Sequence, residues 1–517
     1  MKRFIEKHGK NIIGVLSGYD RLIFRGGIKG LMYEKGMAAY LNYKRILLKD
    51  FKDHALTLTA ELKEKTEQYA ERKQRPFIYL PGHRKSKEEM AREIANRDRI
   101  SEGLICIFSV LENCGSYKIV GNKTTQKLEI KYYSTKCLHL YHYWIDPTFG
   151  LMHGRIQTWY PFNIQIYLNG REWLGNMMSK TGVSFIKNDN CFTWVSDFNK
   201  ASIIVEKQLK ECWPKTLDSF MKKINPVNQK LFTNVHGYYW TTYQSEWATD
   251  IIFKNKKELE LIYPELVHHS ILTFNSKDIM RFLGKRINKT GEIPANFNGE
   301  LISNLKQRTE GVRIKHSINA NSVKIYDKAG SVLRIETTIN RPNEFKVYRP
   351  VCETEEMKWQ SMRKSVIDIL RRAQISQSVN ERHLDALADA RVEDNFATFL
   401  STFLFPVYKD KKRTRGLEPL NKDKILLDAI AEGKFTINGF RNCNVREIMF
   451  PKLKTKEEIK KHSAKISRLL RILRTHGVIK KVPRTNRYLL TKKGTKLVSA
   501  LKTINESKVC DMLKLSA

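Results

Sequence analysis

Four short runs between residues 237 and 340 hold the side chains best placed for chemistry: GYYWTTYQSEWATDIIF, EGVRIKHSI, SVKIYDK and SVLRIETTIN. Each is rich in β-branched and aromatic residues, and alternate side chains of a strand share a face. In the last two runs Val323, Ile325, Leu333 and Ile335 fall on one side, and Lys324, Tyr326, Arg334, Glu336 and Thr338 on the other. The same count puts Gln244, Glu246, Ala248 and Asp250 opposite Tyr243, Trp247, Ile251 and Phe253. A turn over Asp327–Ser331 predicts a hairpin with one buried and one polar face. In one sheet, these strands bring together carboxylates, a tyrosine and the cations Arg313, Lys315, Lys324, Lys328 and Arg334. Carboxylates supply oxygen ligands for a cation that clamps phosphoryl oxygens, and a phenol needs cations or a metal to favour its anion. The plain structural reading is a half-buried sheet whose amphipathic tyrosine precedes turn residues.

A second set lies near the C-terminus. In SRLLRILRTHG, Ile466, Leu469, Leu470 and Leu473 follow helical spacing and form one core-facing stripe. Lys465, Ser467, Arg468, Arg471 and Arg474 then point away from it. Thr455 with Glu458 predicts a capping box, and Gly477 the stop. VIKKVPRTNRYLLT reads as two strands carrying Lys480 and Lys481, with Arg484 and Arg487 at the tip. An arginine-faced helix followed by a basic hairpin suits a duplex groove and its phosphates.

The elements that must position these groups belong to a folded, strongly basic chain. In 517 residues, 93 Lys+Arg face 54 Asp+Glu, a net +39, and hydrophobic residues make up 41%. That composition excludes a disordered basic tail and points to several domains and a polyanionic partner. The charge is dispersed, so an extended nucleic acid fits better than a membrane surface. No apolar run is long enough to span a bilayer, and MKRFIEKHGK is no signal peptide, so a soluble, cytoplasmic protein is expected. Eight scattered cysteines show neither metal spacing nor a disulfide framework.

The pattern predicts an α+β, multi-domain chain with a mixed or antiparallel sheet core and a C-terminal winged helix. The expected divisions are an α/β region (1–128), a β-rich region with aromatics among cations (129–235), a sheet module (236–345), a helical connector with a basic linker (346–420) and the terminal module (421–517). Ile12–Leu16 and Leu22–Phe24 read as two strands separated at Ser17-Gly18, and Gly103–Leu111 as a buried strand. Tyr132, Tyr133, Tyr141, Tyr143, Trp144, Trp159 and Tyr160 lie near Lys131, Lys136, Arg155 and Gln157, where rings beside cations serve unpaired bases. Strand alternation sends about half of them to the core.

The segment SRLLRILRTHGVIKKVPRTNRYLLTKKG resembles the winged-helix domains of MarR-type bacterial regulators, which implies a DNA or structured-RNA reader. VKIYDK followed by LRIE is similar to a motif of rolling-circle plasmid replication initiators. That likeness implies Tyr326 as nucleophile, Lys324 and Lys328 on phosphate, and Glu336 as a metal ligand or base. Glu246 and Asp250, with His316, would complete a site for Mg²⁺ or Mn²⁺. No other cofactor is expected. Asp20, Glu112 and Asp146 at strand ends resemble the carboxylate placement of RNase H-like nucleases. End to end, SGYDRLIF, TWYPFNIQIYLNG and EWATDIIF look like those of uncharacterised bacterial proteins of about this length labelled as MarR-like. The expected function is nucleic-acid binding, within a ribonucleoprotein or a mobile element; the alternatives are a tyrosine- or metal-dependent nickase and a MarR-like regulator.

Overall fold

The computed structural model describes the chain except for residues 82–85, 233–236, 289–291, 296, 309–310, 352–355, 391–395, 410–411, 453–454 and 507–517. Gly82, Cys352 and Cys510 thus lie outside the described residues. No helix among the described residues is long and apolar enough to cross a membrane. The fold is α+β. Up to residue 340 its strands are β1 Ile12–Ile28, β2 Phe77–Tyr79, β3 Gly103–Asn122, β4 Lys127–Asp146, β5 Gly150–Gln157, β6 Ile164–Asn169, β7 Phe185–Asn188, β8 Cys191–Val195, β9 Tyr238–Phe253, β10 Leu301–Arg308, β11 Gly311–Ile318, β12 Asn321–Lys328 and β13 Val332–Ile339. The chain forms two compact units, each assembled from separated segments.

The larger unit comprises residues 12–254 and 331–380. Its sheet runs β13-β9-β1-β6-β5-β4-β3-β2, antiparallel except where β2 meets β3. The expected pair of strands at the start is one continuous strand, β1. Its glycines serve close packing within the strand instead of a turn: a Cβ on Gly26 would sit 2.6 Å from the Trp240 ring. The expected division at 128/129 falls just inside β4, which pairs with β3 along nearly its whole length. That at 235/236 separates β9 from β1, although the two pair from Ile12 to Ile28.

One face of this sheet buries Leu22, Phe24, Ile164, Ile166, Leu168, Ile156 and Leu140 in the main core. Helices Glu34–Tyr43, Phe51–Arg72 and Trp213–Ile224 contribute to the same core. Helix Ile369–Leu387 is tied to that face by polar contacts. Tyr19 Oη donates to the Ile369 carbonyl at 2.6 Å, Trp247 Nε1 to Gln377 at 2.8 Å, and buried Arg372 to the Thr242 carbonyl at 2.8 Å.

The smaller unit comprises residues 1–11, 255–330 and 381–517. β10, β11 and β12 form an antiparallel meander, with Arg313 opposite Tyr326 and Lys315 opposite Lys324. Period two is obeyed: Ile314, Ile318, Val323 and Ile325 are buried, whereas Arg313, Lys315, Lys324, Tyr326 and Lys328 are half-exposed. His316 falls on the buried face. Its ring lies between Ser270, 3.0 Å from Nε2, and Ser303, 2.8 Å from Nδ1, with His383 at 5.7 Å between centroids.

Burial holds His316 and His269 down to about 4, and His383 well below its ordinary value. These rings stay neutral in the fold while the unfolded chain protonates them below about 6.5. Their contribution is complete above that pH and is lost as pH falls toward 4. A thermal melt near pH 5 should therefore show a lower midpoint than one near pH 7.5, reflecting a stability loss on the order of 2 kcal/mol for each of His316 and His269 and a further loss from His383. His316→Gln should flatten that dependence; a pH-independent midpoint would mean that the rings titrate normally.

Beyond residue 421 come helices Lys424–Ile430 and Phe435–Asn438, strand Phe440–Arg441, helices Asn442–Met449 and Lys456–Thr475, strands Ile479–Lys481 and Arg487–Leu490, and helix Lys492–Glu506. The three strands form one small sheet with Arg487–Leu490 in the middle. Thr455 and Glu458 form the capping box, and Gly477 stands at φ +71 after the helix end. Ile466, Leu470 and Leu473 are buried in the local core, with Leu469 packed against it.

Candidate metal centre

Three adjacent strands of the larger unit, β13, β9 and β1, each contribute one buried carboxylate to a single cluster. Asp20, Glu246 and Glu336 each offer an oxygen, and these lie within 4.8 Å of one another. Glu336 is across from Ala248 and Thr338 from Glu246, so Glu336 and Glu246 share a face as period two requires. Asp20 joins them through an irregularity. Tyr19 pairs with Trp247 and Arg21 with Glu246, which leaves Asp20 as the extra residue of a β-bulge. Such a bulge re-aims a side chain. Tyr19 stays on the core face, whereas both Asp20 and Arg21 reach Glu246.

The surroundings fix these carboxylates. Asn190, in the turn between β7 and β8, donates its amide to both Asp20 oxygens at 2.9 and 3.1 Å. Arg334 Nη1 lies 3.5 Å from Asp20 Oδ1, and Arg21 Nε 3.8 Å from Glu246 Oε2. Gln244 donates to Glu246 Oε1 at 3.2 Å. Burial above all raises the Asp20 carboxyl to about 6; Arg334 and Arg171 pull it down, and Glu336 and Glu246 push it up. A carboxyl with that affinity for its proton exchanges it readily for a cation near neutral pH. Arg21 is held above its ordinary value: burial opposes its charge, and Glu246, Tyr167, Asp20 and Glu336 outweigh that.

Two expected assignments are corrected. Asp250 is no metal ligand: it receives Arg334 in a bidentate pair at 2.6 and 2.9 Å and Arg171 at 3.0 Å. All three are fully buried, so the Asp250 oxygens are engaged by fixed cations. Arg334, expected on nucleic acid, is for the same reason a structural partner, with a further bond to the Asn190 carbonyl at 2.8 Å. Arg171 reaches this position because its helix, Gly170–Lys180, starts directly from β6. Its first residue must be glycine, since a Cβ there would meet the Tyr19 carbonyl at 2.1 Å. Asn169 caps that helix through bonds from the Arg171 and Glu172 amides.

The remaining candidates belong to other strands and helices. Tyr326, Lys324, Lys328, Arg313 and Lys315 belong to the smaller unit, as does His316, whose ring lies on the face opposite Tyr326 and is therefore no partner for it. Glu112 is bound to Lys87 at 3.0 Å, Arg155 at 2.7 Å and Tyr141, and Asp146 caps its own turn. Of that trio only Asp20 enters the cluster. Lys465, Ser467, Arg468, Arg471 and Arg474 are exposed along one helix, and Lys480, Lys481 and Arg484 are exposed in the hairpin after it; Arg487 is half-buried against Glu292 at 2.9 Å. Of the expected aromatic platform, Tyr132 is exposed, and Tyr141, Tyr143, Trp144 and Tyr160 are buried.

Oxygens that share one Mg²⁺ at about 2.1 Å stand no more than about 4.2 Å apart. The oxygens of Asp20, Glu246 and Glu336, within 4.8 Å of one another, lie close to that limit, and three carboxylates are the donors that Mg²⁺ or Mn²⁺ prefers. No protein-family model matches the chain, and neither a curated protein nor a solved structure matches it.

Proposed function

We propose that this is a nucleic-acid-binding protein that breaks phosphodiester bonds at a divalent cation held by Asp20, Glu246 and Glu336. One observation carries the reading: three buried carboxylates from three hydrogen-bonded strands gather in a chain of net charge +39. A cation there supplies charge stabilisation during in-line displacement at phosphorus. The chain's own part is to fix the three carboxylates through Asn190, Arg334 and Gln244 and to offer Arg21, at the rim, to a phosphate. The exposed arginine face of helix Lys456–Thr475 supports a second grip on DNA or structured RNA, of the kind a ribonucleoprotein or mobile-element protein makes.

A second reading rests on Tyr326, which stands opposite Arg313 with Lys324 two residues before it. There the phenol oxygen would attack phosphorus and break the bond to one sugar oxygen, which leaves as a hydroxyl carrying the phenol's proton, so that one strand end stays linked to the tyrosine. Incubating the protein with labelled single-stranded and supercoiled DNA and Mn²⁺, beside Tyr326→Phe, separates the two. Cation-dependent cutting that survives the substitution is the expected result. A protein-linked strand that vanishes in the variant would give the chemistry to Tyr326, and no cutting by either protein would remove it from both.

A further inference from the structure

The face of the larger unit's sheet opposite the apolar core is lined by cations and rings. Along β1, Arg21 and Arg25 are exposed on this side, flanking the core residues Leu22 and Phe24. On β9 Glu246 stands opposite Arg21, Gln244 opposite Ile23 and Thr241 opposite Arg25, and on β6 Gln165 stands opposite Arg25 and Tyr167 opposite Ile23. Tyr239, opposite Gly27, is 37% exposed and Tyr243 is 45% exposed.

A second register shift, on β9, produces this arrangement. Ile23 pairs with Gln244 and Phe24 with Thr242, so Tyr243 is the extra residue and leaves the alternation. Its ring lies under the Arg25 guanidinium, 3.4 Å from centroid to carbon, and Lys29 sits 4.3 Å over the Tyr239 ring. No carboxylate among the described residues forms an ion pair with Arg25. Burial weakens its charge, and so does nearby Arg155, against the pull of Tyr243. Exposed tyrosines orienting cations on a polar sheet face offer stacking surfaces and phosphate contacts together. From Tyr239 to Glu246 the track covers about 20 Å of strand. At its end Arg21 touches Glu246.

We infer that this face binds an unpaired polynucleotide strand: Tyr239 and Tyr243 stack on its bases, and Lys29, Arg25 and Arg21 hold successive phosphates. A duplex keeps its bases stacked on each other and cannot use the rings, so the site selects single strands. This deepens the proposed function and rests on it for one clause only: that the phosphate on Arg21 is the one delivered to Asp20, Glu246 and Glu336.

The test is fluorescence anisotropy of the full-length protein in EDTA, with a labelled single-stranded oligodeoxythymidylate of about twenty bases and a duplex of equal length. The wild type should prefer the single strand. Tyr239→Ala with Tyr243→Ala should lower single-strand affinity by about tenfold or more and leave duplex affinity nearly unchanged, whereas the two Phe replacements should restore it. Arg25→Gln, which needs no ring to be removed, should reduce the salt slope for the single strand by about one phosphate contact. Unchanged single-strand affinity in the Ala variant together with an unchanged slope in Arg25→Gln overturns the inference, as does an equal loss for both nucleic acids. Because EDTA removes the cation, the outcomes separate. Ring-dependent binding without any Mn²⁺-dependent cutting would sink the proposed function alone, and cutting by ring variants of undiminished affinity would sink this inference alone.

Discussion

Glu336→Gln is expected to lower cation-dependent cutting by at least about a hundredfold while the protein stays folded. Residues that merely orient a metal ligand cost 10–100-fold in affinity or activity when replaced, roughly, and Glu336 would be a ligand itself. The stability readout should change sign with conditions. In EDTA the substitution removes one of three crowded carboxylates within 4.8 Å, so the melting point should hold or rise. With Mn²⁺ the wild type should gain stability by about 2.7 kcal/mol at a concentration a hundredfold above its dissociation constant, and the variant little. A variant that cuts as fast as wild type, or a wild type whose melting point ignores Mn²⁺, would rule out this centre.

Asp250→Ala should behave in the opposite way, destabilising the protein by about 3–5 kcal/mol whether or not a cation is present. Asp250 is the shared anion of Arg334 and Arg171, and both guanidiniums are fully buried. Removing it leaves two buried charges without the anion they share, Arg334 keeping Asp20 at 3.5 Å. Asp250→Asn, which keeps the shape but not the charge, should cost less. Thermal melts in EDTA and in Mn²⁺ would report the difference. If Asp250→Ala melts like wild type and Glu336→Gln collapses, the roles of the two carboxylates have been exchanged.

Period-two alternation places Glu246 and Asp250 on one face of β9, and Arg334 and Glu336 on one face of β13, and both placements hold. What a single strand cannot disclose is its neighbour and its register. Arg334 meets Asp250 only because β13 pairs with β9 at that offset, and this pairing converts an expected ligand and an expected phosphate contact into a structural pair. Asp20 is legible as an acid beside an apolar strand, but its true neighbours are set by pairing, so the sequence groups it with Glu112 and Asp146. Tyr243 is hidden for another reason, being the surplus residue of a bulge, which alternation assigns to the wrong face. The C-terminal helix was legible down to its caps, because Thr455, Glu458 and Gly477 act within a few residues of one another. The turn expected at Ser17-Gly18 is absent because a strand also accommodates glycine: Ser17 and Gly18 pair with Thr249 and Ala248 in an unbroken ladder that the sequence of β1 alone does not show.

The pairing of β1 with β9 also bears on how the chain is made. β1 is complete at residue 28, but β9 ends only at residue 253. At 5–20 residues per second, synthesis of the intervening chain takes roughly 10–45 s. For that time one edge of a 17-residue strand has no partner to close it, and β6 protects only the stretch from Arg21 to Gly26 on the other. An open edge of that length pairs with whatever strand it meets. The charges spaced along it, Asp20, Arg21 and Arg25, are of the kind that disfavours edge-to-edge pairing with another copy.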